Sequence, residues 1–81
     1  MPQIQTRDLP PAILRHLLEQ AVARQVSEED LWEFTDWLAT HPTVPEGQWF
    51  KRFTGTILCG EGVLPKTFLM PGQHPFGDEV L

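Results

Sequence analysis

The chain predicts an α+β domain: an N-terminal antiparallel αα-hairpin packed against a small two- or three-stranded antiparallel β-meander. Three observations carry that expectation. Apolar residues recur at helical spacing through the first half, the composition changes at His41 and Pro42, and the second half replaces the helical period with short aromatic and β-branched runs separated by Gly and Pro. All 81 residues are assigned to a single domain, with an extended leader over 1–7, the helical hairpin over 8–41, a loop over 42–47, the meander over 48–70 and an irregular tail over 71–81.

The leader carries weak structural signals and is expected to be extended and frayed. Asp8 then reads as a helix N-cap. Pro10 and Pro11 follow it in a first turn, where a missing N–H would have had no partner. Ile13, Leu14, Leu17, Leu18, Ala21 and Val22 repeat at helical spacing, with Arg15, His16, Glu19 and Gln20 on the other side. This first helix is expected to run to about Gln25.

The second helix is announced by "SEED". Ser27 is placed to cap the N–H of Asp30, and the acidic residues sit at the positive end of the dipole. The helix is expected from Glu28 to about Thr40, where Pro42 disfavours further helical geometry. Two or three residues between the helices favour an antiparallel hairpin.

After the loop, "WFKRF", "TILC" and "KTFLM" read as the two or three strands of the meander, with Pro65 suiting only an edge strand or a loop. Between the last two, "GEG" reads as a turn whose glycines supply positive φ in a chain without Asn. Lys66 follows closely enough to meet either Glu61 or Cys59.

Composition limits the function. The net charge of −5 opposes contact with nucleic-acid phosphates, so no nucleic-acid partner is expected. Lys51 and Arg52 lie between Phe50 and Phe53, but two charges make a poor nucleic-acid surface, and an edge strand guarded by charge accounts for them as well. A single cysteine excludes an intrachain disulfide and favours a reducing, cytoplasmic compartment. "MPQIQTRDLPP" has no secretory pattern and no apolar run approaches a membrane span, so no membrane partner is expected.

Four residues have zinc-ligand chemistry: His16, His41, His74 and Cys59. None is paired at ligand spacing, so no metal and no cofactor are expected. Cys59 is the candidate reactive thiol, and a thiol-dependent activity centred on it is one functional alternative. Its nearest charge in sequence, Glu61, would raise the thiol pKa, and no phosphate-cradling or nucleophile motif accompanies it, so no catalytic residue is assigned.

The second helix is more informative. Leu31, Phe34 and Leu38 form its apolar stripe, and Glu29, Glu33 and Asp36 lie roughly opposite. Trp32 and Trp37 flank the stripe on different sides, so a single groove against the first helix cannot bury both. One is expected to be covered by the β segment and the other to mark an interface. The function expected is therefore non-enzymatic: a protein-interaction domain that forms a homodimer through Trp32, Trp37, Glu33 and Asp36. The alternative is an accessory subunit that binds a different protein through the acidic helix.

Overall fold

The computed structural model describes residues 2–5, 7, 9–69 and 72–81. Two helices are followed by a small mixed sheet, which is the expected α+β class. Helix α1 spans Pro11–Ala23 and α2 spans Glu28–Ala39; strands β1 (Gln48–Arg52), β2 (Ile57–Glu61), β3 (Leu64–Leu69) and β4 (Asp78–Glu79) follow. Asp8, the expected first cap, lies outside the described residues. Pro10 holds the N-cap position of α1 without a side-chain cap, and Pro11 opens the first turn. The hydroxyl of Ser27 accepts from the N–H of Asp30 at 3.1 Å, so the cap of α2 forms where the sequence places it.

Both helices end on a left-handed residue that is not glycine. Gln25 has φ 56° and His41 φ 51°. At the end of α1, the N–H of Gln25 donates to the carbonyl of Val22 at 3.2 Å and that of Val26 to Ala21 at 2.9 Å, the paired bonds of a Schellman cap. After α2, the N–H of His41 donates to Leu38 at 3.0 Å, and Pro42 has no N–H to make the second bond. The chain therefore leaves α2 in a new direction.

The strand order is β3-β2-β1-β4. The expected meander is formed by β1, β2 and β3, with Trp49 opposite Gly60, Phe50 opposite Cys59 and Leu58 opposite Phe68. Two features differ from the sequence reading. The tail, expected to be irregular, contributes β4, which runs parallel to β1 with Asp78 opposite Trp49 and Glu79 opposite Phe50. β1 is thus flanked on both sides at Trp49 and Phe50 and is no edge strand there. The leader is also held in place. Ile4 donates to the carbonyl of Pro42 and Val44 to that of Pro2, both at 2.9 Å, and the side chains of Ile4 and Val44 are wholly buried. A short antiparallel bridge thus recruits residues with little pattern of their own into the core.

The main core lies between the helices and one face of the sheet, where Leu17, Ala21, Phe34, Leu38, Trp49, Leu58 and Phe68 are buried. A chain of aromatic contacts runs through it. Phe68 meets Phe34 at 5.4 Å, Phe34 meets Phe53 at 6.3 Å, Phe53 meets Trp37 at 6.1 Å and Trp37 meets Trp49 at 5.7 Å between ring centroids. Tilted and edge-on rings of this kind add attraction beyond their buried area.

Trp49 is fully buried, and its indole N–H donates to the carbonyl of Gly62 at 2.8 Å. Its ring lies directly over Gly60 on the neighbouring strand, where a Cβ would overlap the ring atoms. This corrects the reading of "GEG". Gly60 belongs to β2 and is required for close approach, whereas the turn is made at Gly62, with φ 56°. The register shift between Cys59 and Gly60 accommodates Pro65 on the edge strand.

Side chains from the helices fasten the rest. Gln20 accepts from the N–H of Phe68 at 3.3 Å, while Arg24 donates to the Phe68 carbonyl and, at 2.9 Å, to the Thr67 hydroxyl. Gln20 of α1 and Arg24 at its C-cap, four apart, thus occupy the open edge of β3 as a neighbouring strand would. Asp30 is buried, and its carboxylate accepts from the N–H of Gly55 at 2.9 Å, joining the first turn of α2 to the β1–β2 connection. Beyond the capping position expected for it, Asp30 is thus a structural tie.

Two substitutions test these constraints by urea denaturation. Gly60→Ala drives a methyl group into the Trp49 ring and is expected to cost about 2 kcal/mol. Gln25→Gly relieves a left-handed side-chain residue at the Schellman cap and is expected to raise stability by about 0.5 kcal/mol after the added freedom of the unfolded chain is offset.

Candidate functional site

Two surfaces of the fold gather the residues singled out from the sequence. The first lies on the sheet face turned away from the helices. Phe50, Cys59 and Thr67 share this face by register, and residues 73–76 of the tail pass beside it. Cys59, Thr67 and the tail bound a cleft of about 270 Å³, with Glu61, Lys66, His74 and Phe76 also in its lining.

The question posed by the spacing of Lys66 is answered here. Its ammonium lies 3.5 Å from the Glu61 carboxylate, and both side chains are about half exposed. The register shift leaves Lys66 as the extra residue of β3, between the Pro65–Gly60 and Thr67–Cys59 pairs. An exposed pair of this kind adds little stability. Lys66 thus has a carboxylate as its ion-pair partner, and the Cys59 thiol gains no such stabilisation of its thiolate. Burial alone acts on Cys59 and pushes its pKa up from the ordinary thiol value. A thiol held protonated is a weak nucleophile at neutral pH. The cleft therefore brings together Cys59, Glu61, Lys66 and His74 without the electropositive environment that nucleophilic catalysis requires.

The basic pair of β1 is also engaged within the chain. Lys51 lies 5.9 Å from the Phe53 ring centroid, and Arg52 lies 5.4 Å from that of Phe50 and 3.6 Å from the Glu79 carboxylate. The alternation of a strand sends the two cations to opposite faces, so they form no common patch. His16 shares a hydrogen bond with Gln20 at 2.9 Å on the exposed side of α1. Among the described residues, no group of three or more His, Cys, Asp or Glu side chains is arranged to hold a metal ion, and no helix is long and apolar enough to cross a membrane.

The second surface is the outer side of the helical pair. The short connection over 24–27 returns α2 alongside α1, and Leu14, Leu18, Phe34, Thr35, Leu38 and Ala39 line a groove of about 240 Å³ between the helices. Leu18, in the lining of this groove, is 57% exposed, and Val22 on α1 and Trp32 on α2 are 79% and 64% exposed. Apolar side chains exposed singly are ordinary, and it is the presence of three large ones on the two helices that makes this side a candidate contact surface.

The four residues read as interface positions separate in space. Trp32 and Asp36, four apart on α2, are exposed on the outer side. Trp37 points inward and packs on Trp49 and Phe53, which makes it the tryptophan covered by the β segment. Glu33 is half-buried on the flank of α2. Leu18 and Val22 were expected on the core side of α1, yet they lie outside it. The signal was present in the sequence, since six apolar positions span an arc wider than one contact surface can cover.

Comparison of the chain with family models, with curated proteins and with solved structures found no match. For the thiol, the geometry sets a direct expectation: the alkylation rate of Cys59 with iodoacetamide should reach half its maximum above the free-thiol pKa of about 8.5. A midpoint near neutrality would restore Cys59 as a nucleophile.

Proposed function

We propose that this chain is a non-enzymatic protein-interaction domain that self-associates through side chains flanking α2. The observation that carries the reading is the exposure of three large apolar side chains on the helices, Trp32 on α2 and Leu18 and Val22 on α1. Burial of an aromatic anchor together with aliphatic neighbours is the usual source of binding energy at protein contacts. A domain of 81 residues also gains from association, because so short a chain buries a smaller fraction of its surface than a larger domain does.

The two tryptophans have different parts in this proposal. Trp32 makes the contact directly. Trp37 supports it from beneath by fixing α2 against Trp49 and Phe53. Asp36 and Glu33 supply charge at the margin of the surface, where they favour correctly oriented encounters more than they add affinity. A cytoplasmic setting fits the single half-buried cysteine, for which the chain offers no disulfide partner.

Light scattering on the purified chain tests the reading. A dimeric mass is expected at about 100 μM, the range in which a modest interface of this kind is populated. Trp32→Ala should lower that mass while leaving the urea midpoint nearly unchanged when both proteins are measured dilute enough to be monomeric, because an exposed side chain contributes little to folding. Trp37→Ala should instead lower the urea midpoint, at a cost of about 2 kcal/mol. A monomeric mass for the unaltered chain would refute self-association.

A further inference from the structure

We infer that residues 72–81 form a strap on the outer face of the sheet, which opens as one unit while the helices and the β1–β3 meander stay folded. Closed, the strap governs access to Phe50 and Cys59. Open, it leaves β1 as an edge strand.

The strap contributes little apolar burial. None of residues 72–81 is buried, and only Pro75 and Val80 are half-buried. Because burial of apolar surface is the main favourable term in folding, a segment that buries so little loses little on leaving the sheet. Its ties to β1 are short. The two strands pair over two residues, the N–H of Val80 donates to the carbonyl of Phe50 at 2.7 Å, and Glu79 reaches Arg52 at 3.6 Å. Both side chains of that ion pair are substantially exposed, so the pair orients β4 more than it stabilises it. The meander is different, since β1 and β2 pair over five residues and Trp49, Leu58 and Phe68 are wholly buried within it. The line between what opens and what stays therefore falls between β1 and β4.

One residue sets the closed position. Gly77 has φ 90°, and a Cβ on it would overlap the main chain of Gln48. The strap can lie this close to β1 only with glycine there.

What the strap controls is seen at Phe50. Strand alternation places Trp49 on the core side and Phe50 on the outer face, yet Phe50 is only 8% exposed although it lies outside the main core. Part of its cover is the Arg52 guanidinium, 5.4 Å from the ring centroid, and Glu79 of β4 is the carboxylate that holds this guanidinium. The pair is thus a latch over the ring. When β4 leaves, Arg52 loses its anchor and Phe50 gains a solvent-facing side. Cys59 lies opposite Phe50 in the register and lines the cleft that residues 73–76 help to bound, so the same opening removes one wall of that cleft.

Amide exchange followed by NMR on the full chain tests the opening. The Val80 N–H should exchange at least about tenfold faster than those of Leu17 and Ala21 in α1, and its rate should stay nearly flat in low urea, because local opening exposes little surface. Equal protection at Val80 and in α1 would mean that the tail leaves only with the whole fold, which overturns the inference. Two neutral variants test what the strap controls. Gly77→Val blocks the close approach to Gln48, and Val80→Pro removes the donor to the Phe50 carbonyl. Each should raise the iodoacetamide rate of Cys59 several-fold at one fixed pH, with the urea midpoint of helical circular dichroism nearly unchanged. If either variant unfolds the helices together with the tail, or both leave the Cys59 rate unaltered, the tail is an ordinary part of the fold and the inference fails.

Discussion

The close approach of Trp49 to Gly60 is the constraint around which this fold is arranged. A full indole ring can lie flat on the sheet only where the neighbouring strand has no Cβ, and β2 supplies that position directly opposite. The ring then reaches the Gly62 carbonyl with its N–H, which ties the β2–β3 turn to β1. It also presents its other side to Trp37, which anchors α2. One side chain thus contacts three successive strands' worth of structure and a helix. The aromatic chain from Trp49 to Phe68 extends this anchorage through Phe53 and Phe34. For a chain of this length, dense aromatic packing stands in for the larger aliphatic core of a bigger domain.

The helices are set on the sheet by polar contacts as well as apolar ones. Gln20 and Arg24 satisfy the main-chain groups of Phe68 on the open edge of β3, and Asp30 satisfies Gly55 at the other end of the meander. Each tie removes a buried or edge group that would otherwise compete for water or for another strand. Together they fix which sides of α1 and α2 face the sheet. The outward placement of Leu18, Val22 and Trp32 follows from these ties, since rotating either helix to bury them would break the bonds of Gln20, Arg24 or Asp30.

Much of this was legible from local chemistry. The Ser27 cap, the helical period of α2, the three strands of the meander and the edge position forced by Pro65 all follow from short-range rules, and each was found where those rules place it. What escaped was long-range. Nothing in "MPQIQ" distinguishes a frayed leader from one that buries Ile4 beneath Val44, because the bridge depends on where α2 delivers Pro42. Gly60 looks like a turn glycine until Trp49 is found on top of it. Asp30 looks like one acid among several until Gly55 arrives beside it from the far end of β1. The site was half legible for the same reason. Helical phase separated Trp32 from Trp37 but could not say which of them the sheet would cover, and the α1 residues that complete the surface looked like core.

The difference between the two flanking tryptophans carries the functional argument furthest. Trp37 is accounted for by the fold, since it lies within the aromatic chain. Trp32 is not, for the helix at that position needs only a side chain compatible with helical geometry, and a charged residue there would favour solubility. The same holds for Leu18 and Val22 on α1. Three large apolar side chains on one outward face lower the solubility of an isolated chain while adding little to its folding. Under the proposed self-association, the burial of these side chains is completed from outside the chain.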